Sequence, residues 1–221
     1  MPSCNVNRDS VIDRFEFERG LLARGICRIA GVDEAGRGPL AGPVTAAAVI
    51  FPNEWFFSGL PSPLDGLNDS KQLSPVQRER FFEFLTHESK VLWNVQSIPA
   101  EVIDSINILQ ATHRAMNQAL ASLNPAPEHA LVDGLPVRSM SFPQTALVKG
   151  DARSYSIAAA SVLAKVTRDR LMVGFDRQYP GYGFATHKGY GTASHLAAMR
   201  RLGPCPIHRR SFAPLKESQL S

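Results

Sequence analysis

The segment from Ile26 to Val44 constrains the fold of this chain more than any other segment. A largely apolar run over residues 26–32 ends at two adjacent carboxylates, Asp33 and Glu34. Three glycines and two prolines then fall within residues 35–43, which argues against a regular helix or strand there. The pattern predicts a buried strand that delivers acidic side chains to an irregular loop.

The two acidic side chains need positive charge nearby, since adjacent carboxylates repel each other and burial strengthens the repulsion. Magnesium and manganese prefer oxygen ligands of this kind, whereas zinc would favour the histidine or cysteine that residues 29–44 lack. Asp33 and Glu34 are therefore candidate metal ligands. The alternative is a surface turn, because Asp, Glu and Gly are common in turns.

The loop after the two acids has the composition of a ligand-binding backbone. Gly36 and Gly38 carry no side chain, so their N–H groups can approach a ligand closely. Arg37, between them, is a donor suited to phosphate or sugar oxygens. We therefore expect metal ligands and a substrate-contacting loop side by side.

Two further predicted strands also lead to carboxylates. The strand over 129–132 runs into Asp133, and the strand over 144–148 is followed by Asp151. Strand ends border the ligand crevice of open α/β sheets, so these acids could meet the first pair. Alternatively, Asp133 belongs to a turn and Asp151 caps the helix that follows it. Convergence of all four acids would favour phosphodiester hydrolysis by two divalent ions about 3.5–4 Å apart.

The composition is that of an ordinary globular protein with a mild basic excess. Its 221 residues suffice for one well-filled core, with 44% hydrophobic and 20% charged residues. The net charge of +4 permits a polyanionic partner without requiring one. Three cysteines without metal-site spacing indicate neither a zinc cluster nor a disulfide framework. Since no apolar stretch reaches about 18 residues, we expect a soluble, cytoplasmic protein that does not enter a membrane.

Strand-like and helix-like patterns alternate after a strand-rich start, which predicts one α/β domain with a mixed sheet. Strands are expected over 26–33, 42–51, 91–98, 129–132 and 144–148, the first two pairing as a hairpin. Helices are expected over 11–22, 75–87, 99–123, 152–177 and 192–202. The aromatic segment 52–66 is expected to fold back on the core. One apolar stripe is assigned to core packing: Val102, Ile106, Leu109, Met116, Leu120 and Leu123.

These segments together resemble the type 2 ribonucleases H, the ribonuclease HII family. The match begins with DEAGRGPLAGPV at residues 33–44 and continues in order along the chain. The later matching segments are LNDSK (67–71), LVDG (131–134), KGD (149–151), SIAAASVLAKVTRD (156–169), HKGYGT (187–192) and PIHRRSF (206–212). The resemblance therefore extends from about Ile29 to Phe212.

The resemblance implies a ribonuclease H-like fold, with a five-stranded mixed sheet flanked by helices and a helical C-terminal part beside the cleft. In that family the aligned acids hold two Mn²⁺ or Mg²⁺ ions and carry catalysis; here they are Asp33, Glu34, Asp133 and Asp151. The implied activity is hydrolysis of the RNA strand of RNA–DNA hybrids and nicking at single ribonucleotides embedded in DNA. The products would carry 5′-phosphate and 3′-hydroxyl ends.

Substrate recognition is also assigned by the resemblance. The loop Gly36, Arg37 and Gly38 would test for the 2′-hydroxyl, and Tyr190 would stack on the deoxyribose after the ribonucleotide. Without the resemblance, Tyr190 would be read as an aromatic side chain that fills a glycine-rich loop. An Asp rather than a Glu at position 151 favours type 2 over the related type 3 enzymes.

Basic side chains in the matched segments are candidates for phosphate contacts. We select Lys71 and Lys188, which lie in matched loops, from a set that also contains Lys149, Arg153, Lys165 and Arg168.

Other polar side chains in these segments leave two readings open. His187, His195 and His208 could shuttle protons, but an exposed or core-satisfied state is expected for each. Asp169 could approach the cleft or form a structural salt bridge with a neighbouring Arg.

Two other functions have to be weighed. One is a different enzyme of the same fold, such as an integrase or a junction resolvase, which would lack the Gly-Arg-Gly loop. The other is a non-catalytic hybrid-binding module, which would be expected to lack one of the four acids. We expect a monomer that binds nucleic acid, with a replication sliding clamp as an open candidate partner. The expected divisions are a tail and short helix (1–24), a catalytic domain (25–203) and a C-terminal tail (204–221).

Overall fold

The computed structural model describes residues 13–216, which form a five-stranded sheet with helices packed on both faces. The strands are β1 (Ile29–Ala35), β2 (Val44–Ile50), β3 (Leu92–Ile98), β4 (His129–Asp133) and β5 (Gln144–Leu147). The helices are α1 (Glu16–Leu22), α2 (Trp55–Ser58), α3 (Pro75–His87), α4 (Ala100–Ala121), α5 (Gly150–Arg153), α6 (Tyr155–Gln178), α7 (Phe184–His187) and α8 (Ala193–Leu202), with a 3₁₀ turn at Ser62–Leu64. The predicted mixed α/β architecture is confirmed.

The order of the strands brings three carboxyl ends to one edge of the sheet. The order is β3-β2-β1-β4-β5. β2 pairs antiparallel with both β1 and β3, and the β1–β2 pair confirms the predicted hairpin. β4 pairs parallel with both β1 and β5. Because β1, β4 and β5 run in the same direction, the residues that end them lie along the same edge.

Side-chain alternation along β1 decides what each face of the sheet contacts. Ala30 and Val32 join the core cluster beneath α4, whereas Ile29 joins the cluster that contains α6. Gly31 also faces α6, since a Cβ added to it would lie 2.1 Å from the carbonyl carbon of Ser156. The backbone of helix α6 therefore contacts β1 directly at Gly31. The next side chain of β1 on that face of the sheet belongs to Asp33.

The start of α3 agrees with its sequence signals, because Ser74 and Gln77 form a reciprocal capping box around Pro75. The predicted helix over 152–177 is instead divided into α5 and α6. Ser154 is extended at the break, where its side chain accepts a hydrogen bond from the N–H of Ile157 and donates one of 2.6 Å to buried Glu18. The tertiary partner thus fixes the start of α6.

Helix α4 departs from the predicted continuous stripe. Asn107 has φ = 67° inside the helix, and its side chain accepts a hydrogen bond of 3.0 Å from the N–H of Gln110. Leu109, assigned to the core from sequence, is exposed. The break at Asn107 changes the phase of the helix, so Leu109 leaves the stripe. The other predicted positions contact one core cluster, with Val102 and Ile106 partly buried and Met116, Leu120 and Leu123 buried.

The aromatic segment folds back on the core, as expected. Trp55 and Phe56 of α2 are buried, and they pack with Phe51 and Phe15 respectively, while Phe57 is exposed. None of the helices between residues 13 and 216 has both the length and the hydropathy of a bilayer span. Residues 1–12 and 217–221 lie outside the described residues, and the predicted helix start at Val11 falls there. Within the described residues, α1 begins at Glu16, so residues 13–15 are not helical as the prediction over 11–22 had them.

The segment after Pro204 is irregular, as predicted, but it is closely packed against the rest of the chain. Cys205, His208 and Arg209 are buried there. Cys205 joins a third apolar cluster with Met172 of α6 and Phe184 of α7. The C-terminal segment is therefore part of the structure around the cleft.

Candidate active site

Three carboxylates meet where β1, β4 and β5 end. Asp33, Asp133 and Asp151 each offer one oxygen atom, and these oxygens lie within 4.8 Å of one another. The parallel pairing of β1 with β4, in which Val32 lies opposite Val132, sets the first two side by side. Asp151 reaches the same point from the first turn of α5, directly after β5. The sheet order thus gathers acids that are distant in sequence.

Glu34 borders this group from the opposite face of the sheet, because successive side chains of a strand alternate. It is not one of the three clustered carboxylates, but it lines the same cleft as Asp33 and a second cavity with Asp133. Its Oε1 accepts a hydrogen bond of 3.4 Å from Nη1 of Arg37. The four predicted acids therefore surround one region, with three of them in mutual reach.

Backbone amides fix the orientation of the three clustered carboxylates. Asp33 accepts a hydrogen bond of 2.6 Å from the N–H of Glu34, and Asp133 accepts one of 2.6 Å from the N–H of Gly150. Asp151 accepts one of 2.9 Å from the N–H of Ala152. The helix-start role considered for Asp151 is thus compatible with its place in the cluster.

Burial and mutual repulsion make it costly to keep the clustered carboxylates ionised when no cation is bound. Burial, followed by the charges of Glu34 and Asp133, raises the pKa of Asp33 well above its ordinary value. Burial and then the charge of Asp133 also raise the pKa of Asp151. For Glu34, burial raises the pKa although Arg37 opposes the rise. Anionic oxygens that repel each other within this distance are a fitting donor set for a hard divalent cation such as Mg²⁺ or Mn²⁺.

The predicted recognition residues lie beside the acids. A cleft of about 310 Å³ is lined by Asp33, Glu34, the loop Gly36–Gly38 and Tyr190, together with Ala35, Ser70, Lys71, Ser161, Lys165 and Arg168. Tyr190 is half exposed, and its Cε1 would lie 3.8 Å from a Cβ added to Gly38. The loop and the tyrosine therefore lie together in the cleft that Asp33 and Glu34 also line.

The two selected lysines occupy different places. Lys71 lines the acid cleft. Burial lowers its pKa, but the charges of acids that include Asp69 and Asp33 outweigh this, so the pKa is raised overall. Lys188 lines a neighbouring groove of about 690 Å³ instead, and its Nζ donates a hydrogen bond to the carbonyl of Ala185. Lys165 borders both the groove and the cleft.

The remaining basic candidates differ in exposure and in the groups that they contact. Lys149 and Arg153 are exposed, and Arg153 lies 4.9 Å from the ring centre of Phe17. Arg168, considered for phosphate contact, is buried and donates to backbone carbonyls. For Asp169, the structure supports the salt-bridge alternative, but the partner is Lys165, at 2.7 Å, rather than an arginine.

Sequence reasoning missed Asp69 and Ser161. Asp69 lies beside Asp151, where it raises the pKa of that carboxyl, and it accepts a hydrogen bond of 2.9 Å from the N–H of Lys71. Ser161 pairs with Ser70 at 2.8 Å and opposes the rise in the pKa of Asp33. Asp69 belongs to a segment already matched to the family, so a signal for it was present. Ser161 depends on where α6 packs.

The three histidines form a buried, hydrogen-bonded stack, which agrees with the expected core-satisfied state. His187 stacks on His195 with ring centres 4.4 Å apart, and Nε2 of His195 lies 3.0 Å from Nε2 of His208. Nδ1 of His195 bonds the carbonyl of Tyr190 at 2.9 Å. Burial lowers the pKa of His208 to about 4, so this imidazole is neutral at pH 7. The stack supports the backbone of Tyr190.

Sequence comparisons show extended similarity to one group of proteins. The family model described as Ribonuclease HII matches residues 30–215. A Ribonuclease HII of Geobacillus thermodenitrificans is 55% identical over 202 residues, which cover 91% of this chain and 74% of the relative. A Ribonuclease HII of Geotalea uraniireducens is 52% identical over 202 residues, which cover 91% of this chain and 90% of the relative.

Solved structures share the fold. The ribonuclease H2 of Pyrococcus horikoshii superposes with a TM-score of 0.71 at 27% identity, over 86% of this chain and 96% of that protein. The RNase HII of Archaeoglobus fulgidus, solved in a complex with PCNA, gives a TM-score of 0.66 at 24% identity, over 82% of this chain and 93% of that one. The predicted ribonuclease H-like fold is therefore confirmed.

Proposed function

This chain belongs to the ribonuclease HII family, whose members are metal-dependent endonucleases, and from that premise we propose its substrates and mechanism. Its substrates would be RNA–DNA hybrids, in which it hydrolyses the RNA strand, and duplex DNA with single embedded ribonucleotides, at which it nicks. The products would carry 5′-phosphate and 3′-hydroxyl ends. The observation that carries the proposal is that Asp33, one of three clustered carboxylates, lines the same cleft as Glu34, the Gly36–Gly38 loop and Tyr190.

The residues that would hold the divalent ions, Mn²⁺ or Mg²⁺, are Asp33, Glu34, Asp133 and Asp151, whose carboxylate oxygens suit hard cations. When bound, a pair of divalent ions supplies activation of the attacking water and stabilisation of the leaving 3′ oxygen. The protein keeps the carboxylates oriented through the backbone amides of Glu34, Gly150 and Ala152. This preorganisation avoids reorienting the ligands during the reaction.

Selection of the ribonucleotide would come from the other wall of the cleft. Amides of the Gly36–Gly38 loop would bond the 2′-hydroxyl, which is the group that distinguishes RNA from DNA. Tyr190 would stack on the following deoxyribose. Lys71 and Lys188 would contact phosphates, Lys71 from within the cleft and Lys188 from the adjoining groove. For protein partners, the sliding clamp stays a prediction, since the PCNA complex concerns the Archaeoglobus fulgidus protein.

The substrate assignment can be tested with three duplexes of one sequence. Purified protein with Mg²⁺ or Mn²⁺ is incubated with plain DNA, with an RNA–DNA hybrid and with DNA that contains one ribonucleotide. We expect cleavage of the latter two and no cleavage of plain DNA. Cleavage of plain DNA would favour another nuclease or strand-transfer activity, and binding without cleavage would favour a non-catalytic module.

The role of Tyr190 can be tested separately with Tyr190→Ala. Loss of a stacked ring costs about 1–3 kcal/mol, so the kcat/KM for the single-ribonucleotide duplex should fall by about 5- to 160-fold. The melting temperature should change little, because the side chain is half exposed. Equal kcat/KM for the variant and the parent protein on both cleaved duplexes would refute the assignment.

A further inference from the structure

Two buried arginines, Arg168 and Arg209, lie beneath the loop Gly36–Gly38, which we call the recognition loop. Neither has a carboxylate partner among the described residues. Arg168 is 1% exposed and Arg209 is 0% exposed. Among residues 13–216, neither forms an ion pair with an acidic side chain. Burying an unpaired guanidinium is costly unless its donors are fully used. Such an arrangement needs a reason beyond packing.

Both guanidinium groups donate hydrogen bonds to backbone carbonyls around the recognition loop. Arg209 bonds the carbonyls of Gly36 at 2.6 Å, Arg37 at 2.9 Å and Gly42 at 3.0 Å. Arg168 bonds a complementary set of carbonyls, those of Pro43 at 2.9 Å, Ala41 at 3.1 Å and Lys188 at 3.1 Å.

This arrangement turns the carbonyls of the recognition loop inward and leaves its amides available. Within the described part of the chain, no group accepts a hydrogen bond from the N–H of Arg37 or Gly38. Gly36 has φ = 93°, and a Cβ added there would lie 2.0 Å from Nε of Arg168. The loop therefore rests directly on the guanidinium layer, with its amides free for a ligand.

The segment that carries Arg209 also ties the recognition loop to the loop of Tyr190. The N–H of Arg209 bonds the carbonyl of Leu40 at 2.8 Å, and the N–H of Leu40 bonds the carbonyl of Gly189 at 2.8 Å. Burial and the nearby charge of Arg168 lower the pKa of Arg209 to about 9, so its guanidinium is cationic at pH 7. A fixed positive charge thus lies directly behind the loop that carries the free amides.

We propose that Arg209 is a positioning residue for ribonucleotide recognition, which holds the carbonyls of Gly36 and Arg37 so that the loop amides meet the 2′-hydroxyl. Arg209 touches neither the acids nor the substrate in this scheme. Its contribution is to selectivity between ribose and deoxyribose. The inference rests on the proposed function, because it assumes that the loop reads the 2′-hydroxyl.

The test measures binding in the Asp33→Asn background, so that cleavage does not interfere. Dissociation constants are compared, with Mg²⁺ present, for a duplex with one ribonucleotide and for the same duplex made only of DNA. Arg209→Lys keeps the charge but cannot hold three carbonyls in one plane. Loss of one aligned hydrogen bond predicts about a tenfold fall in the preference for the ribonucleotide, with little change in affinity for plain DNA.

Arg210→Lys is the matched control, since Arg210 is the exposed neighbour, and the preference should be unchanged. If the Asp33→Asn parent shows no preference for the ribonucleotide, the proposed substrate recognition fails, whatever Arg209 does. If the parent has the preference and Arg209→Lys retains it, the positioning role is wrong. An equal loss of affinity for both duplexes would indicate a merely structural residue and would also overturn it.

If Arg209→Lys does not fold, Phe212→Leu provides a second test of the positioning role of Arg209. The centre of the Phe212 ring lies 5.1 Å from the guanidinium carbon of Arg209, so the ring packs against the guanidinium group. Its removal should lower the preference for the ribonucleotide in the same direction by a smaller factor. An unchanged preference in a folded Phe212→Leu protein would count against the proposal.

Discussion

Asp33 concentrates the electrostatic cost of the site in one side chain. It is buried next to two other acids, and its pKa is raised well above the ordinary value by burial first and by Glu34 and Asp133 second. A carboxyl whose pKa is raised on folding stabilises the fold only while it is protonated. The contribution is therefore lost as the pH rises from the ordinary pKa through the raised one. As the pH rises, the cluster therefore opposes folding more strongly, and a bound cation would offset this effect.

Asp33→Asn should separate stability from activity. We expect cleavage to fall below detection, because a proposed ligand of the divalent ions is lost. Without divalent ions, the melting temperature at pH 7.5 should rise, since Asn does not titrate and the cost linked to the raised pKa of Asp33 is removed. Mg²⁺ or Mn²⁺ at 100 times the dissociation constant should stabilise the parent protein by about 2.7 kcal/mol, and this gain should be much smaller in the variant. Thermal denaturation with and without EDTA measures both effects.

Asp65→Asn provides the control, because Asp65 is an exposed acid outside the cleft. Its melting temperature, metal response and cleavage should match those of the parent protein. Normal turnover by the Asp33→Asn enzyme would contradict the metal assignment. A lower apo melting temperature would contradict the electrostatic argument.

At the scale of elements, the contact between β1 and α6 holds the site together. Gly31 permits it, because an added Cβ would lie 2.1 Å from the carbonyl carbon of Ser156 and 2.4 Å from the N–H nitrogen of Ile157. Both contacts are with helix backbone, which cannot swing aside as a flexible side chain can. The same packing brings Ser161 of α6 towards Asp33.

Gly31→Ala should therefore destabilise the protein by about 1–3 kcal/mol or more, since the helix must move away from the sheet. Gly174→Ala, in α6 itself, meets no atom within 4 Å and should stabilise by up to about 1 kcal/mol through helix propensity. Urea denaturation of the two variants measures both changes. A destabilisation of Gly31→Ala below that of a typical surface substitution would show that α6 is not seated as described.

At the scale of the whole molecule, the buried histidine stack joins the C-terminal segment to the recognition loops. His208 bonds His195, and His195 bonds the carbonyl of Tyr190. Burial lowers the pKa of His208 to about 4 and also lowers that of His195. An unfolded histidine takes up its proton near pH 6.5, so the unfolded chain binds more protons between pH 6.5 and 4. Stability from the stack is consequently lost as the pH falls through that window.

The contribution of His208 over that window should be about 3 kcal/mol, from a pKa change between 6.5 and about 4. In His208→Gln, the free energy of unfolding should depend less steeply on pH between 6.5 and 4.5 than in the parent protein. His87→Gln, at the exposed end of α3, should leave the slope unchanged. Urea denaturation at a series of pH values measures the slopes. Identical slopes in the parent protein and His208→Gln would refute the buried neutral state.

The sequence predicted most of the secondary structure because its signals there are local. Ser74 and Pro75 marked the start of α3, and the apolar run before Asp33 marked β1. Prediction failed where a distant partner decided the outcome. Ser154 ends α5 because Glu18 receives its hydroxyl, and Leu109 leaves the core because α4 breaks at Asn107.

The sequence by itself determined which acids are present, that a glycine loop follows the first pair, and the family to which the chain belongs. Motif order carries that information because it depends only on neighbours along the chain. The tertiary structure decided that Asp33, Asp133 and Asp151 share one point while Glu34 faces the other side of the sheet, and that Arg168 is buried rather than free for phosphate. Those outcomes depend on strand order, side-chain alternation and the packing of α6, which bring together residues far apart in sequence.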